Sequence, residues 1–240
     1  MTRQLQKKRE RFFAEQAARL MGENWNLGND DHEHPDFIVT GSGQQFGLEV
    51  TQIFVGAQSD AGSTLKAKES NTQRVITVLQ REYESVEKVA LIVKFVGNME
   101  TDNLATVVPA LVAQDLPSKP TCYQFVHDTT LAHPARARLR VHVTKALSPD
   151  WYSVNDRAGF VDRNPHSIIA HAIEKKANEL TRYKEAAGSD IRLLLVADCI
   201  NNSGKLMLDE GAQFDLYGFK TVYLFPYPEA VMVLKSAANS

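Results

Sequence analysis

The spacing of apolar and polar positions divides the chain into helical and extended stretches in mixed order. Over residues 3–21, Leu5, Phe12, Phe13, Ala17, Leu20 and Met21 recur among Lys, Arg, Glu and Gln at near-helical spacing, and Gly22 follows as a stop. This predicts an amphipathic N-terminal helix. A short strand is expected at 25–27, then a polar, acidic loop. Strands at 37–40 and 45–54, joined by Gly41-Ser42-Gly43, read as a hairpin. Residues 55–71 read as a polar loop and 72–83 as a helix with Val75, Ile76 and Leu79 in phase. VALIVKFV at 89–96 is continuously apolar, the pattern of a strand buried on both faces. A helix is expected over 103–116, kinked or shortened by Pro109, with strands at 121–126, 137–145 and 151–161. Asn164-Pro165 opens a long helical signal that reaches about Ala187 and stops at Gly188. IRLLLVA at 191–197 is a buried strand, with further strands at 222–225 and 231–234.

This order predicts a mixed α/β protein. The 240 residues are expected to form a single domain, 1–240, with 55–163 as an inserted subdomain. Apolar residues make up 43% and charged residues 23%, which argues against extensive disorder. No apolar run approaches the roughly 18 to 20 residues that span a bilayer, and the basic N-terminus lacks a signal-peptide pattern. Cys122 and Cys199 stand far apart and outside metal-ligand spacing, so a cytoplasmic, reduced protein is expected. The net charge of −2 is not that of a DNA-coating protein, and it leaves room for a local basic site. Without a P-loop, a GxGxxG after a strand, or a GxSxG elbow, kinase, dehydrogenase and hydrolase-elbow readings lack support.

The chemistry concentrates at HPDFIVTGSGQQFGLEVTQIF, residues 34–54. Asp36 opens one apolar run and Glu49 lies inside the next. An ionised group in a half-buried strand is costly without a partner. Strand alternation puts Glu49 and Thr51 on one face, and a suitable hairpin register brings Asp36 beside Glu49. Two such carboxylates repel unless a cation joins them, and Mg²⁺ prefers hard oxygen ligands of this kind. The bland alternatives are a turn role for Asp36 after Pro35 and a solvent-facing role for Glu49.

Pro35-Asp36, a hairpin and Glu49-Val50-Thr51 resemble the PD-(D/E)XK nuclease superfamily, whose motif is Pro-Asp, a spacer, then Glu-x-Lys. The resemblance implies a restriction-endonuclease-like core of helix, three-stranded meander, helix and strand, here with a large α/β insertion. It implies Mg²⁺ or Mn²⁺ held by Asp36 and Glu49, with Glu15 of the N-terminal helix as a third carboxylate through its E-x-x-A-like pattern. It also implies a metal-dependent nuclease acting on nucleic acid, DNA in the first instance. Thr51 stands where the motif has lysine, and either it or Gln52 is a candidate to position water or a phosphate oxygen. Families of this fold also place that lysine on the following core helix. Here Ile169, Ile173, Leu180 and Tyr183 share one helix face, and Lys176 falls on it, an unusual place for an ammonium without a partner. Lys176 is therefore the candidate replacement, with Asp36, Glu49, Lys176 and Thr51 as the catalytic set.

Residues 135–143 alternate strictly, so Arg136, Arg138 and Arg140 would line one strand face. That face either tracks a phosphate backbone or is a solvated surface paired with acidic neighbours. Arg3, Lys7, Lys8, Arg9 and Arg11 form a weaker basic cluster. His32, Glu33 and His34 fit no strong zinc spacing. Two other readings stay open: an inactive member of the same fold that binds nucleic acid or protein, and an unrelated α/β binding domain. A homodimer is a candidate assembly.

Overall fold

The computed structural model describes residues 3–28, 34–41, 43–56, 58–59, 62–97, 99, 104–113, 127–132, 138–154 and 161–237. The chain is mixed α/β, as expected, and divides into two compact units. One is Met1–Lys66 together with Phe160–Ser240, and the other is Ala67–Gly159.

The first unit is built on a six-stranded mixed sheet. Its order is Asn26–Leu27, Phe37–Gly41, Gln44–Gln52, Ile191–Asp198, Thr221–Tyr227 and Met232–Val233. The first three strands form an antiparallel meander. Ile191–Asp198 runs parallel both to Gln44–Gln52 and to Thr221–Tyr227. Its near-continuous apolar sequence follows from burial on both faces. Ile191, Leu193, Leu195 and Ala197 join Ile169, Ile173, Leu180 and Tyr183 in one core. Leu194 and Val196 join Phe13, Ala14, Ala17, Phe37 and Leu48 in another. The helix Arg3–Met21 thus covers one face of the sheet, and helices His166–Ala177 and Leu180–Ala187 cover the other. The expected single helix over 164–187 is interrupted at Asn178 and Glu179, without loss of the buried stripe.

Gly47 shows how closely the sheet packs near the hairpin. A Cβ there would lie 2.8 Å from both Pro35 Cγ and Ile191 Cδ1, and 2.9 Å from Ala187 Cβ. Gly47→Ala is therefore expected to destabilise the protein by about 1 to 3 kcal/mol through overpacking. A chemical-denaturation midpoint checks this. A variant as stable as wild type would mean that Pro35 does not bear on the strand.

In the second unit the sheet order is His127–Ala132, Arg138–Lys145, Leu91–Val96 and Asp150–Val154. Ile76, Leu79 and Tyr83 of the helix Thr64–Val86 pack with Val107 and Leu111 against Leu91, Val93, Phe95, Val141 and Trp151. That helix begins eight residues before the expected 72, because Leu65, Lys66, Ala67, Lys68 and Glu69 are all good helix formers. Leu91–Val96 alternates between buried and half-buried positions, so only one face is covered, contrary to the two-sided burial expected. Within the helix expected over 103–116, the described residues form a 3₁₀ turn, Leu104–Thr106, and a short helix, Val107–Val112. Pro109 sits in the first turn of that helix, where no backbone N–H is needed. The strand expected at 121–126 lies outside the described residues. Among the described residues, no helix is long and apolar enough to cross a membrane.

Candidate functional site

The hairpin register pairs Phe37 with Leu48, so the next position outward sets Asp36 against Glu49. The Asp36 backbone N–H donates to Glu49 Oε2 at 3.3 Å, and the Val50 N–H donates to Asp36 Oδ2 at 2.9 Å. Both carboxyls are buried, Asp36 7% and Glu49 4% exposed. The remaining oxygens each meet a lysine. Lys7 Nζ lies 2.5 Å from Asp36 Oδ1, and Lys176 Nζ lies 2.6 Å from Glu49 Oε1. Lys7 comes from the helix on one face of the sheet and Lys176 from the helix on the other. Two carboxylates and two ammonium groups thus meet at one end of the hairpin, and a third carboxylate, Glu10, stands 3.6 Å from Lys7.

Burial pushes the Glu49 carboxyl up to about 7, with the Asp36 charge adding to it and the Lys176 ion pair opposing it. Burial also lowers Lys176, but the Glu49 charge and hydrogen bond, with the Asp36 and Glu179 charges, together outweigh it, so Lys176 moves upward and stays protonated. Lys7 behaves likewise: burial lowers it, and Asp36, Glu10 and Glu49 together raise it. Both partners of the Glu49–Lys176 pair therefore stand above their ordinary values, although the pairing itself acts downward on Glu49. The lysine faces net negative surroundings, while the carboxylate is penalised by burial and by a second carboxylate.

The shift of Glu49 has a consequence for stability. Below its ordinary value of 4.5 the group is protonated in both folded and unfolded chains. Between 4.5 and about 7 the unfolded chain ionises first, so the stability this carboxyl contributes is lost as pH rises through that window. In the absence of divalent ions the decline is expected to reach about 3 kcal/mol and to be absent in Glu49→Gln. Urea denaturation at pH 5 and pH 8 measures it. Equal pH dependence in the two proteins would contradict the assignment.

An open cleft of about 1340 Å³ surrounds the quartet, larger than the pockets that hold drug-sized ligands. Arg3, Lys7, Arg9, Lys175 and Lys176 line it together with Glu10, Asp36, Glu49 and Glu179. Thr51 also lines it, half-buried. Arg9 donates to Asp198 Oδ2 at 2.9 Å and lies 5.6 Å above the Phe13 ring. With the Gln52 carboxamide oxygen turned toward it, Arg9 also bonds that residue at 3.2 Å. His34 Nδ1 is 3.3 Å from Glu179 Oε2 at the cleft edge.

The structure brings Asp36, Glu49, Lys176 and Thr51 to one cleft, but not Glu15. Glu15 is exposed on the N-terminal helix and does not line the cleft, and Glu10 stands there instead. Glu10 Oε1 accepts from Gln6 Nε2 at 2.9 Å, while its buried Oε2 has no hydrogen-bond partner. Burial, and then the Asp36 charge, raise the Glu10 carboxyl. Glu10, Phe13, Ala14 and Ala17 fall at i, i+3, i+4 and i+7, one helix face; of the apolar positions expected on it, Phe13 and Ala17 are buried, whereas Leu5, Phe12 and Leu20 are exposed. Lys7 lies one turn before Glu10 on the same face. Reading Ala14, Ala17 and Ala18 as the buried surface would have found both.

Among the described residues, no group of three or more His, Cys, Asp or Glu side chains forms a ready-made metal site. Arg138 and Arg140 occupy alternate positions on the strand Arg138–Lys145 of the second unit, while Arg136, His32, Glu33 and Cys122 lie outside the described residues. Cys199 is half-buried and free. Comparison with protein-family models, with characterised proteins and with solved structures finds no match.

Proposed function

We propose that this protein is a divalent-ion-dependent nuclease of the restriction-endonuclease-like fold, hydrolysing phosphodiester bonds of nucleic acid, DNA in the first instance. One observation carries the reading: Lys176, 127 residues beyond Glu49, reaches that carboxylate at 2.6 Å inside the cleft that also holds Asp36. With an ammonium supplied from the helix, Thr51 need not be a lysine. The succession in the first unit of a helix, a three-stranded meander, a helix pair and a strand parallel to the third meander strand supports the same reading.

The residues fit a small, hard cation. Asp36 and Glu49 are buried, the Asp36 charge raises the cost of ionising Glu49, and Glu10 adds a buried oxygen that faces Lys7 at 3.6 Å without a hydrogen bond. Mg²⁺ keeps several waters, so one or two protein carboxylates suffice to hold it. Asp36 and Glu49 would hold the ion, which when bound supplies polarisation of the phosphate and a more acidic water. Lys176 stays protonated, so its part is to donate to a phosphate oxygen or to the attacking water, stabilising charge rather than removing a proton. Arg9, fixed by Asp198, and the adjacent Arg3 and Lys175 give the cleft its positive rim for a polyanion. Arg138 and Arg140 are proposed as additional backbone contacts, on the alternation of their strand alone.

The test is cleavage of single-stranded, duplex and branched DNA and RNA with Mg²⁺ or Mn²⁺, beside the same reactions with EDTA. Ion-dependent cleavage of at least one substrate is expected. Tight binding without turnover on every substrate would favour the inactive binding module to which Thr51 otherwise points.

A further inference from the structure

The N-terminal helix contributes a lysine that the nuclease motif does not require. Lys7 is half-buried, 14% exposed at its side chain, and its ammonium bonds Asp36 Oδ1 while standing 3.6 Å from Glu10 Oε2. Lys176 holds the equivalent place against Glu49. Both carboxylates are thereby neutralised by the chain itself. Each spends its other oxygen on a backbone N–H.

A divalent ion approaching this quartet finds both buried carboxylates already paired with an ammonium, and Glu10, 3.6 Å from Lys7, adds a further negative charge. Nucleic acid changes that balance. Phosphates are the natural alternative partners for the ammonium groups, and both lysines line the cleft that would take the strand. A long, flexible lysine stem allows the head group to move by several ångströms without moving the helix. Once an ammonium turns to a phosphate, its carboxylate recovers a full negative charge for the ion.

We propose that Lys7 is a phosphate-binding residue held in reserve on Asp36, so that nucleic acid and a divalent ion strengthen each other's binding through the exchange of this lysine. The proposal rests on the nuclease reading for the identity of both ligands. By linkage the coupling is reciprocal: the factor by which nucleic acid raises ion affinity equals the factor by which the ion raises nucleic-acid affinity. Lys7 acts here as a binding and positioning residue, and its effect is read in equilibria rather than in turnover alone.

The experiment is calorimetric titration of Mn²⁺ into wild type, Lys7→Met and Lys7→Arg, each with and without a saturating DNA oligonucleotide, at a temperature and time where cleavage is negligible. In wild type the oligonucleotide is expected to tighten Mn²⁺ binding by about 5- to 150-fold, the usual range of such couplings. Lys7→Met should bind Mn²⁺ more tightly than wild type when DNA is absent and should lose most of the coupling. Lys7→Arg should retain it. Thermal melting of Lys7→Met gives a second readout, with a lower midpoint in EDTA that Mn²⁺ restores. Unchanged Mn²⁺ affinity with the coupling intact in Lys7→Met would overturn the proposal and leave Lys7 a structural ion pair. Mn²⁺ binding to wild type without any coupling would overturn it too, while sparing the metal site. No Mn²⁺ binding by wild type, with or without DNA, would overturn both.

Discussion

Glu49→Gln is expected to slow divalent-ion-dependent cleavage by at least about a thousandfold while leaving the fold intact. The carboxamide keeps the shape of the side chain and can still accept from Lys176, so packing changes little. What disappears is the negative charge. Glu49 is 4% exposed, and no other carboxylate is placed on its strand to replace it. The remaining Asp36 still carries Lys7 and has lost the partner whose charge, combined with its own, would attract the proposed divalent ion. The variant should therefore bind Mn²⁺ at least about tenfold more weakly than wild type. Without divalent ions it should be as stable as wild type at pH 5 and more stable at pH 8, because burying a neutral amide avoids the cost of burying the ionised carboxyl. Loss of activity together with retained or improved stability separates a chemical role from a structural one.

Lys176→Met is expected to reduce cleavage by about 10²- to 10³-fold, the usual effect of removing one charged donor from a preorganised site. Methionine preserves an unbranched apolar stem on the helix face that carries Ile169 and Ile173, so destabilisation through lost contacts should be small. Because Glu49 loses its ion-pair partner, its carboxyl should move further up from about 7. The activity profile of this variant should then rise only at more alkaline pH than that of wild type. Lys176→Arg keeps the charge and should recover part of the rate, though the planar guanidinium cannot reproduce the 2.6 Å contact of an ammonium in the same space. Nucleic-acid affinity should fall far less than the rate, since Arg3, Arg9 and Lys175 still line the cleft.

Much of the first unit was legible in the sequence because its elements are constrained on both sides. IRLLLVA is apolar at consecutive positions over 193–197, the pattern of a strand covered on both faces. It forms Ile191–Asp198 at the centre of the sheet. Lys176 was legible because a lysine in phase with Ile169, Ile173, Leu180 and Tyr183 demands an anionic partner, and Glu49 is that partner. The N-terminal helix was harder. Its large apolar residues, Leu5, Phe12 and Leu20, are exposed, while the contact with the sheet is made by Phe13 and by alanines small enough for close approach. A stripe read from bulk alone is therefore rotated and does not mark Glu10, while Glu15 was implied only by the E-x-x-A-like pattern, which the exposed position of that residue does not support. Lys7 was seen only as one of several basic residues, because its partner Asp36 is 29 positions away and nothing local marks the pair. Helix length at 64–86 was underestimated for a related reason: a polar sequence rich in helix formers carries no apolar period to announce it.

The central claim is that Asp36, Glu49 and Lys176 act as one centre, and a double-mutant cycle on single-turnover cleavage tests it most directly. Rates would be measured for wild type, Glu49→Gln, Lys176→Met and the double variant on one labelled oligonucleotide in Mn²⁺. Groups that work as a unit are strongly non-additive, so the double variant should be no slower than Glu49→Gln alone. Losses that multiply, or a wild-type rate that EDTA does not change, would contradict the account.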